Sequence, residues 1–273
     1  MTLSVLTLNL WHNCGPWKER AQRIRGWIDR LDPDLIGFQE VLRGDGLDQL
    51  EDLLGDRSYH LEYAKVIDFW GDPLLGFGNG LASRWPIREP EVLKLPDAGD
   101  DERRVALSVT VEAPHGPLSF TVTHLNWRLH HGETRERQVV ALCDLVLRRR
   151  PRDGFPPILV GDFNAEPDSA EIRYVTGLQS IEGRSVYFCD AWRYAGEEGD
   201  GITWSNRNDY ARPWLEPDRR IDYIFVGHPR PGGVAVIETC RLVCNEKDDG
   251  VWPSDHFGVY AEIRTDPLPN GSA

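Results

Sequence analysis

No stretch of this 273-residue chain is apolar for long enough to cross a bilayer, which excludes a helical membrane protein and fits a soluble globular composition. Cysteine is scarce and odd in number. Cys14, Cys143, Cys189, Cys240 and Cys244 are scattered, so a disulfide framework is not expected and a reducing cytoplasm is the natural setting. Cys240 and Cys244 match neither a zinc knuckle nor a redox pair and read as small buried hydrophobes. The opening MTLSVLTLNLW lacks a basic n-region and a small-residue cleavage site, so it reads as a strand and not as a signal peptide. Positive charge is in deficit: 31 Lys and Arg face 44 Asp and Glu, a net charge of −13. Non-specific affinity for nucleic acid comes from basic surface releasing counterions, so this chain repels a polyanion over most of its surface and duplex DNA is disfavoured as a substrate. There is no internal repeat, low-complexity tract or linker.

What the sequence does contain is a series of short apolar strands that end in polar residues. Residues 3–11 alternate, with Leu6, Leu8 and Leu10 on one side and Val5, Thr7, Asn9 and Trp11 on the other. Trp17–Leu31 places Ile24, Trp27, Ile28 and Leu31 at helical spacing before Asp32-Pro33 stops it. A buried strand over Leu35–Phe38 is expected to end in Gln39-Glu40, and Leu47, Leu50, Leu53 and Leu54 suggest a second helix. From Tyr59 to Thr123 the signals are β-like, with a hairpin turn at Pro114–Pro117. Residues 133–149 return to helix. Ile158–Val160 is a run suited to a strand buried on both faces, and Gly161, Asp162 and Asn164 follow it. Asp168 and Glu171 have capping-box spacing for a helix through Val175. Strands are expected at 202–204, 221–226, 234–244 and 257–263, and a disordered tail over 266–273. Helices interleaved with strand-rich halves predict one α/β domain over 1–265, with two packed sheets flanked by helices.

Asn9, Glu40, His124, Asn126, Asp162, Asn164, Asp222, Asp255 and His256 all lie at or beside predicted strand ends. Carboxylates with amides and few cysteines describe a hard-cation site of the Mg²⁺ kind, which leaves room for waters and a phosphate. His256 has the features of a general base, oriented by Asp222. Asn164 and His124 are placed to donate to phosphoryl oxygens. Five tryptophan-bearing segments, at Trp11 to Trp17, Phe69 to Trp70, Trp127, Trp204 and Trp214, are candidates for a cleft wall.

The motifs LTLNLW, FQE, THLN, GDFNAEPDS, RRIDYIF and SDHFGV resemble, in order and over residues 5–260, those of the endonuclease/exonuclease/phosphatase superfamily. The resemblance implies a four-layer α/β sandwich of two mixed sheets with the site at one edge. It implies Glu40 as principal Mg²⁺ ligand (Mn²⁺ substituting), Asn9 on the metal or phosphate, and Asp255 supporting the metal or His256. It further implies Asp162 orienting or activating water, Asn164 binding the phosphoryl oxygen, and His256 with Asp222 as a base dyad. Asn126 and Arg104 are candidate substrate contacts. In carrying His124 in its THL motif the chain is similar to neutral sphingomyelinases, inositol-phosphate 5-phosphatases and deadenylases, where abasic-site nucleases carry tyrosine. The implied activity is hydrolysis of a phosphate ester, a diester of a small molecule or lipid headgroup in the leading reading. A nuclease using the basic run Arg148–Arg152 and a non-catalytic binding module are the alternatives.

Overall fold

The computed structural model describes residues 1–268. Its strands are β1 (Thr2–Asn9), β2 (Leu35–Gly44), β3 (Leu47–Asp48), β4 (His60–Phe69), β5 (Asp72–Ser83), β6 (Ile87–Lys94), β7 (Val105–Ala113), β8 (Gly116–His124), β9 (Ile158–Asp162), β10 (Phe188–Asp190), β11 (Asp222–Gly227), β12 (Ile237–Val243) and β13 (Gly258–Arg264). The helices are α1 (Trp17–Leu31), α2 (Gln49–Leu54), α3 (Gly132–Arg149), α4 (Ala170–Val175) and α5 (Ala191–Ala195). One sheet runs β12-β13-β1-β2-β5-β4, with β3 beside β2, and the other β10-β11-β9-β8-β7-β6. Each is mixed: β1–β2 and β8–β9 are parallel pairs among antiparallel neighbours.

The alternation of β1 shows how the layers form. Leu6, Leu8 and Leu10 pack under Ile24 and Ile28 of α1 and Leu50 and Leu53 of α2. Leu3 and Val5, on the opposite face, join Phe120, Val122, Ile158, Val160 and Ile224 between the sheets. The outer face of the second sheet, with Leu159, Tyr223 and Phe225, is covered by Val139, Leu142 and Val146 of α3 and Ile172 of α4. The result is helix, sheet, sheet, helix, as the period-2 and period-3.6 patterns require. Gly37 permits the close approach of the sheets: a Cβ there would lie 2.5 Å from a Val160 methyl.

Several local expectations are corrected. β2 does not end before Glu40 but continues to Gly44 through a bulge, where Phe38 and Val41 pair with Gly80 and Gly78. Glu171 forms no capping box; its carboxylate takes the buried Arg135 guanidinium at 2.6 Å, and α4 starts after Ser169 without a side-chain cap. Residues 202–204 form no strand, only the bridges of Trp204 to Arg219 and His256. Of the tail expected to be disordered from Asp266, the described part carries an exposed pair between Asp266 and the Met1 ammonium and a Leu268 N–H donated to Gly232 O. Residues 269–273 lie outside the described residues.

Candidate active site

Four strand ends converge at one edge of the two sheets. β9 delivers Asp162 directly beside His124 of β8 and opposite Asp222 of β11. Gly161 is required by this arrangement. Its φ is +146°, and a Cβ would lie 2.0 Å from the Thr123 carbonyl oxygen. Asp162 is then held from several sides. Asn9 Nδ2 donates to its Oδ2 at 3.1 Å, the Asn164 N–H donates to its Oδ1 at 2.9 Å, and His124 Nε2 lies 3.5 Å from Oδ2. The contact to the Asn164 N–H is an Asx-turn, so turn and site coexist in the same residues. Asn164 stands in the left-handed region (φ +50°) and uses one amide hydrogen on Leu125 O at 3.1 Å. The second hydrogen of that amide remains for a ligand.

His256 Nδ1 meets Asp222 Oδ2 at 2.9 Å, and its Nε2 lies 3.7 Å from Asp162 Oδ2. The bulge in β2 turns Glu40, at φ +57°, into the same cavity, which Asp255 also lines. Arg104 lines it too, pairing with Glu102 at 2.5 Å and reaching His124 Nδ1 at 3.4 Å. A guanidinium only donates, so His124 Nδ1 accepts and the ring proton sits on Nε2, toward Asp162. Three of the expected site residues fall outside the cavity lining: Asp222, which stands behind His256, Asn9 and Asn126. Asn9 Oδ1 accepts from the Trp11 N–H at 2.9 Å, so both ends of its amide are engaged by protein. Asn126 is fully buried, and its Oδ1 closes a turn by accepting from the Arg128 N–H at 3.0 Å.

The electrostatics describe a place short of positive charge. Burial, reinforced by Asp222, raises Asp162 to about 7, and burial, with Glu40 nearby, raises Asp255 to about 6. Withdrawal from water also raises Glu40; among the described residues no cation comes within ion-pairing distance of it, and His256 and Arg104 act only from farther off. Burial alone would lower His256, but Asp222, Asp162 and Asp255 outweigh it and push the imidazole up to about 10. Burial, Arg104 and His256 lower His124, which stays neutral. Unpaired carboxylates of raised pKa fit a hard dication, and the oxygen donors of Glu40 and Asp255 are of the kind Mg²⁺ takes. Ligand atoms of Asp162, Asp222 and His256 also lie within 4.8 Å of one another. An ion there would have to displace the His256–Asp222 bond, so that cluster suits proton handling better than metal binding.

The cavity has a volume of about 280 Å³. Five tryptophans line it: Trp11, Trp70, Trp127, Trp204 and Trp214. Trp17, at the edge of the first candidate segment, instead bonds Asp52 through its indole N–H at 2.9 Å. Three supporting residues are not apparent from motif reading. Arg20 is fully buried and donates to the carbonyls of Leu10, His12, Cys14 and Pro253, tying the loop after β1 to the loop before Asp255. Its signal was an arginine on the apolar face of α1. Asn208 Nδ2 donates to the carbonyls of Ser254 and Asp255 at 2.8 and 3.0 Å, and the Trp204 ring meets His256 edge-on at 4.9 Å. Nothing in the local sequence marks Asn208, and the sequence marks Trp204 as a cleft wall but not as a neighbour of His256. Arg148 and Arg149 pair with Glu91 and do not line the cavity.

The sequence profile described as the Endonuclease/Exonuclease/phosphatase family matches residues 6–256, and the chain belongs to that family. Its members are metal-dependent phosphoesterases and nucleases, and this chain is a hydrolase of that class. An uncharacterized protein of Caenorhabditis elegans is 22% identical over 298 residues, covering 95% of this chain and 90% of the relative. Among solved structures, TDP2 of D. rerio complexed with a single-strand DNA product superposes with a TM-score of 0.75 at 22% identity, over 96% of this chain and 99% of that one. The human Nocturnin catalytic domain with bound sulfate gives 0.72 at 20% identity, over 96% and 93%. These likenesses show the shared fold.

Proposed function

We propose that the chain is a Mg²⁺-dependent hydrolase of phosphate diesters, acting on a small-molecule or headgroup-sized substrate, with residues 1–265 working as one catalytic domain. One observation carries the reading: raised-pKa carboxyls, a neutral histidine and His256, backed by Asp222, meet at one cavity of about 280 Å³. Hydrolysis of a phosphate ester needs an in-line water, an acceptor for its proton, and positive charge or donors at the non-bridging oxygens. Mg²⁺, or Mn²⁺ with similar preferences, would be held by Glu40 and Asp255 and would supply positive charge and a template for the phosphate.

The chain's own residues supply the remainder. Asp162, raised to about 7, accepts the proton of the attacking water near neutral pH, while Asn9 and Asn164 fix its carboxylate. His256, surrounded by carboxylates that hold its proton, donates it from Nε2 to the leaving-group oxygen as the P–O bond breaks, with Asp222 fixing the ring. This differs from the expected base dyad, because a histidine pushed up to about 10 is a poor acceptor at neutral pH. Asn164 Nδ2, the His124 Nε2–H and Arg104 add donors toward the developing charge. Five free cysteines fit a cytoplasmic setting, and no helix among the described residues is long and apolar enough to cross a membrane.

Cleavage of single-stranded nucleic acid is the second reading, favoured by the DNA product seen with D. rerio TDP2. A panel with Mg²⁺ and then EDTA separates the two, using bis(p-nitrophenyl) phosphate, p-nitrophenyl phosphate, sphingomyelin, plasmid and oligonucleotide. Diester turnover abolished by EDTA is expected. Nicked plasmid or trimmed oligonucleotide at low enzyme concentration, without small-ester turnover, would sink the leading reading.

A further inference from the structure

Tryptophan 70 is 67% exposed and Trp214 59% exposed, yet both line the cavity that holds the candidate catalytic groups. Leaving that much indole in water is unfavourable, and large apolar side chains left exposed around one cavity mark a binding surface. Two of the wall's rings, Trp70 and Trp127, are also braced. Trp70, at the tip of the β4–β5 hairpin, packs on Phe69 at 4.7 Å, Phe77 at 5.3 Å and His12 at 5.5 Å between ring centroids. Trp127, 43% exposed, is oriented by its indole N–H on Glu102 Oε2 at 3.1 Å. Glu102 in turn holds Arg104, which reaches His124. Through these contacts one ring of the aromatic wall, Trp127, is joined to the phosphate-handling floor.

We propose that this wall is a subsite for a planar, uncharged aromatic ring carried by the phosphoester, an aryl group or a nucleobase; the proposal rests on the phosphoesterase reading and names its substrate class. The choice of a ring over an alkyl chain comes from the lining. Its apolar members are five tryptophans and a phenylalanine against only two aliphatic residues, Ile67 and Ile221. Flat indoles offer stacking faces, whereas an acyl chain is better matched by branched aliphatic side chains. A cationic headgroup is not selected, because two of the wall's carboxylates are already taken by guanidinia: Glu102 pairs with Arg104 and Glu216 with Arg219.

The test is binding, read by tryptophan fluorescence and calorimetry on the intact chain with Mg²⁺. Phenyl phosphate, thymidine monophosphate, cyclohexyl phosphate and methyl phosphate are titrated in parallel. A ring-bearing ester is expected to bind about 10-fold tighter than cyclohexyl and methyl phosphate, from one stacking contact. Trp70→Ala and Trp214→Ala are each expected to collapse that ratio toward 1, and Trp70→Phe to restore most of it. Whether the phenyl or the thymidine ester leads assigns the source of the ring, and either upholds the subsite. Cyclohexyl binding as tight as phenyl, methyl binding as tight as both, or no binding of the ring esters overturns it. Ring preference without diester turnover would remove the hydrolase reading and leave the subsite standing; turnover without ring preference does the reverse.

Discussion

At the scale of single residues, the site is defined by carboxyls that the fold leaves without enough positive charge. Glu40 is the sharpest case, and Glu40→Gln should abolish the rise in melting temperature that Mg²⁺ produces in the wild type. It should also lower turnover by about 10²–10³, since a ligand that binds only the folded state stabilises it by mass action. Both are read from thermal melts and initial rates; an unchanged Mg²⁺ shift would remove Glu40 from the metal. The pH dependence has a definite sign. Asp255 and Asp162 are raised to about 6 and about 7 in the folded chain, so each adds to apo stability at low pH and loses that contribution as pH rises through those values. Metal binding needs the ionised form, so the difference in melting temperature between Mg²⁺ and EDTA should grow as pH rises from about 5 to 8. A difference that shrinks over that window contradicts the assignment. His256→Ala, which removes the donor beside Asp162, should cost about 10²–10⁴ in kcat; it also leaves the buried Asp222 and Asp162 without their partner, so its melting temperature should fall and the rates are compared below the onset of melting.

At the scale of elements, β9 and its glycine decide the geometry. Gly161→Ala forces a Cβ into the Thr123 carbonyl at 2.0 Å and strains φ, so the parallel β8–β9 pair must separate. A loss of roughly 2–4 kcal/mol, measured by denaturant unfolding, is expected from strain and overpacking together. This position also shows what the sequence makes legible. Ile158–Val160 followed by a glycine and two polar residues announces a buried strand ending in a site, because strand burial and chain termination act locally. Helix α1 is legible for the same reason, its period being written in Ile24, Trp27 and Ile28. The β2 bulge is not, since Val41 and Leu42 continue the strand and only pairing with β5 shows that Glu40 is an extra residue. Glu171 misleads in the same way: its spacing suits a cap, but a buried Arg135 from α3 claims it. Arg20, Asn208 and Trp204 support the site through carbonyls and rings brought from distant loops, contacts that no local pattern encodes.

At the scale of the whole molecule, net charge and cavity size agree. A chain of net charge −13, whose Arg148 and Arg149 are paired with Glu91 away from the cavity, has little means of holding a long polyanion. Turnover of a small diester should therefore change by less than about 2-fold between 50 and 200 mM salt, whereas a polyanion held by many phosphate contacts would be released steeply. The central claim is that this cavity is a Mg²⁺-dependent hydrolytic site, and the most direct measurement is p-nitrophenolate release from bis(p-nitrophenyl) phosphate by metal-stripped protein as Mg²⁺ is restored. Negligible release is expected in EDTA, with saturable recovery on adding Mg²⁺ to the wild type and little recovery in His256→Ala. Release that ignores EDTA, or that survives undiminished in His256→Ala, would contradict that claim.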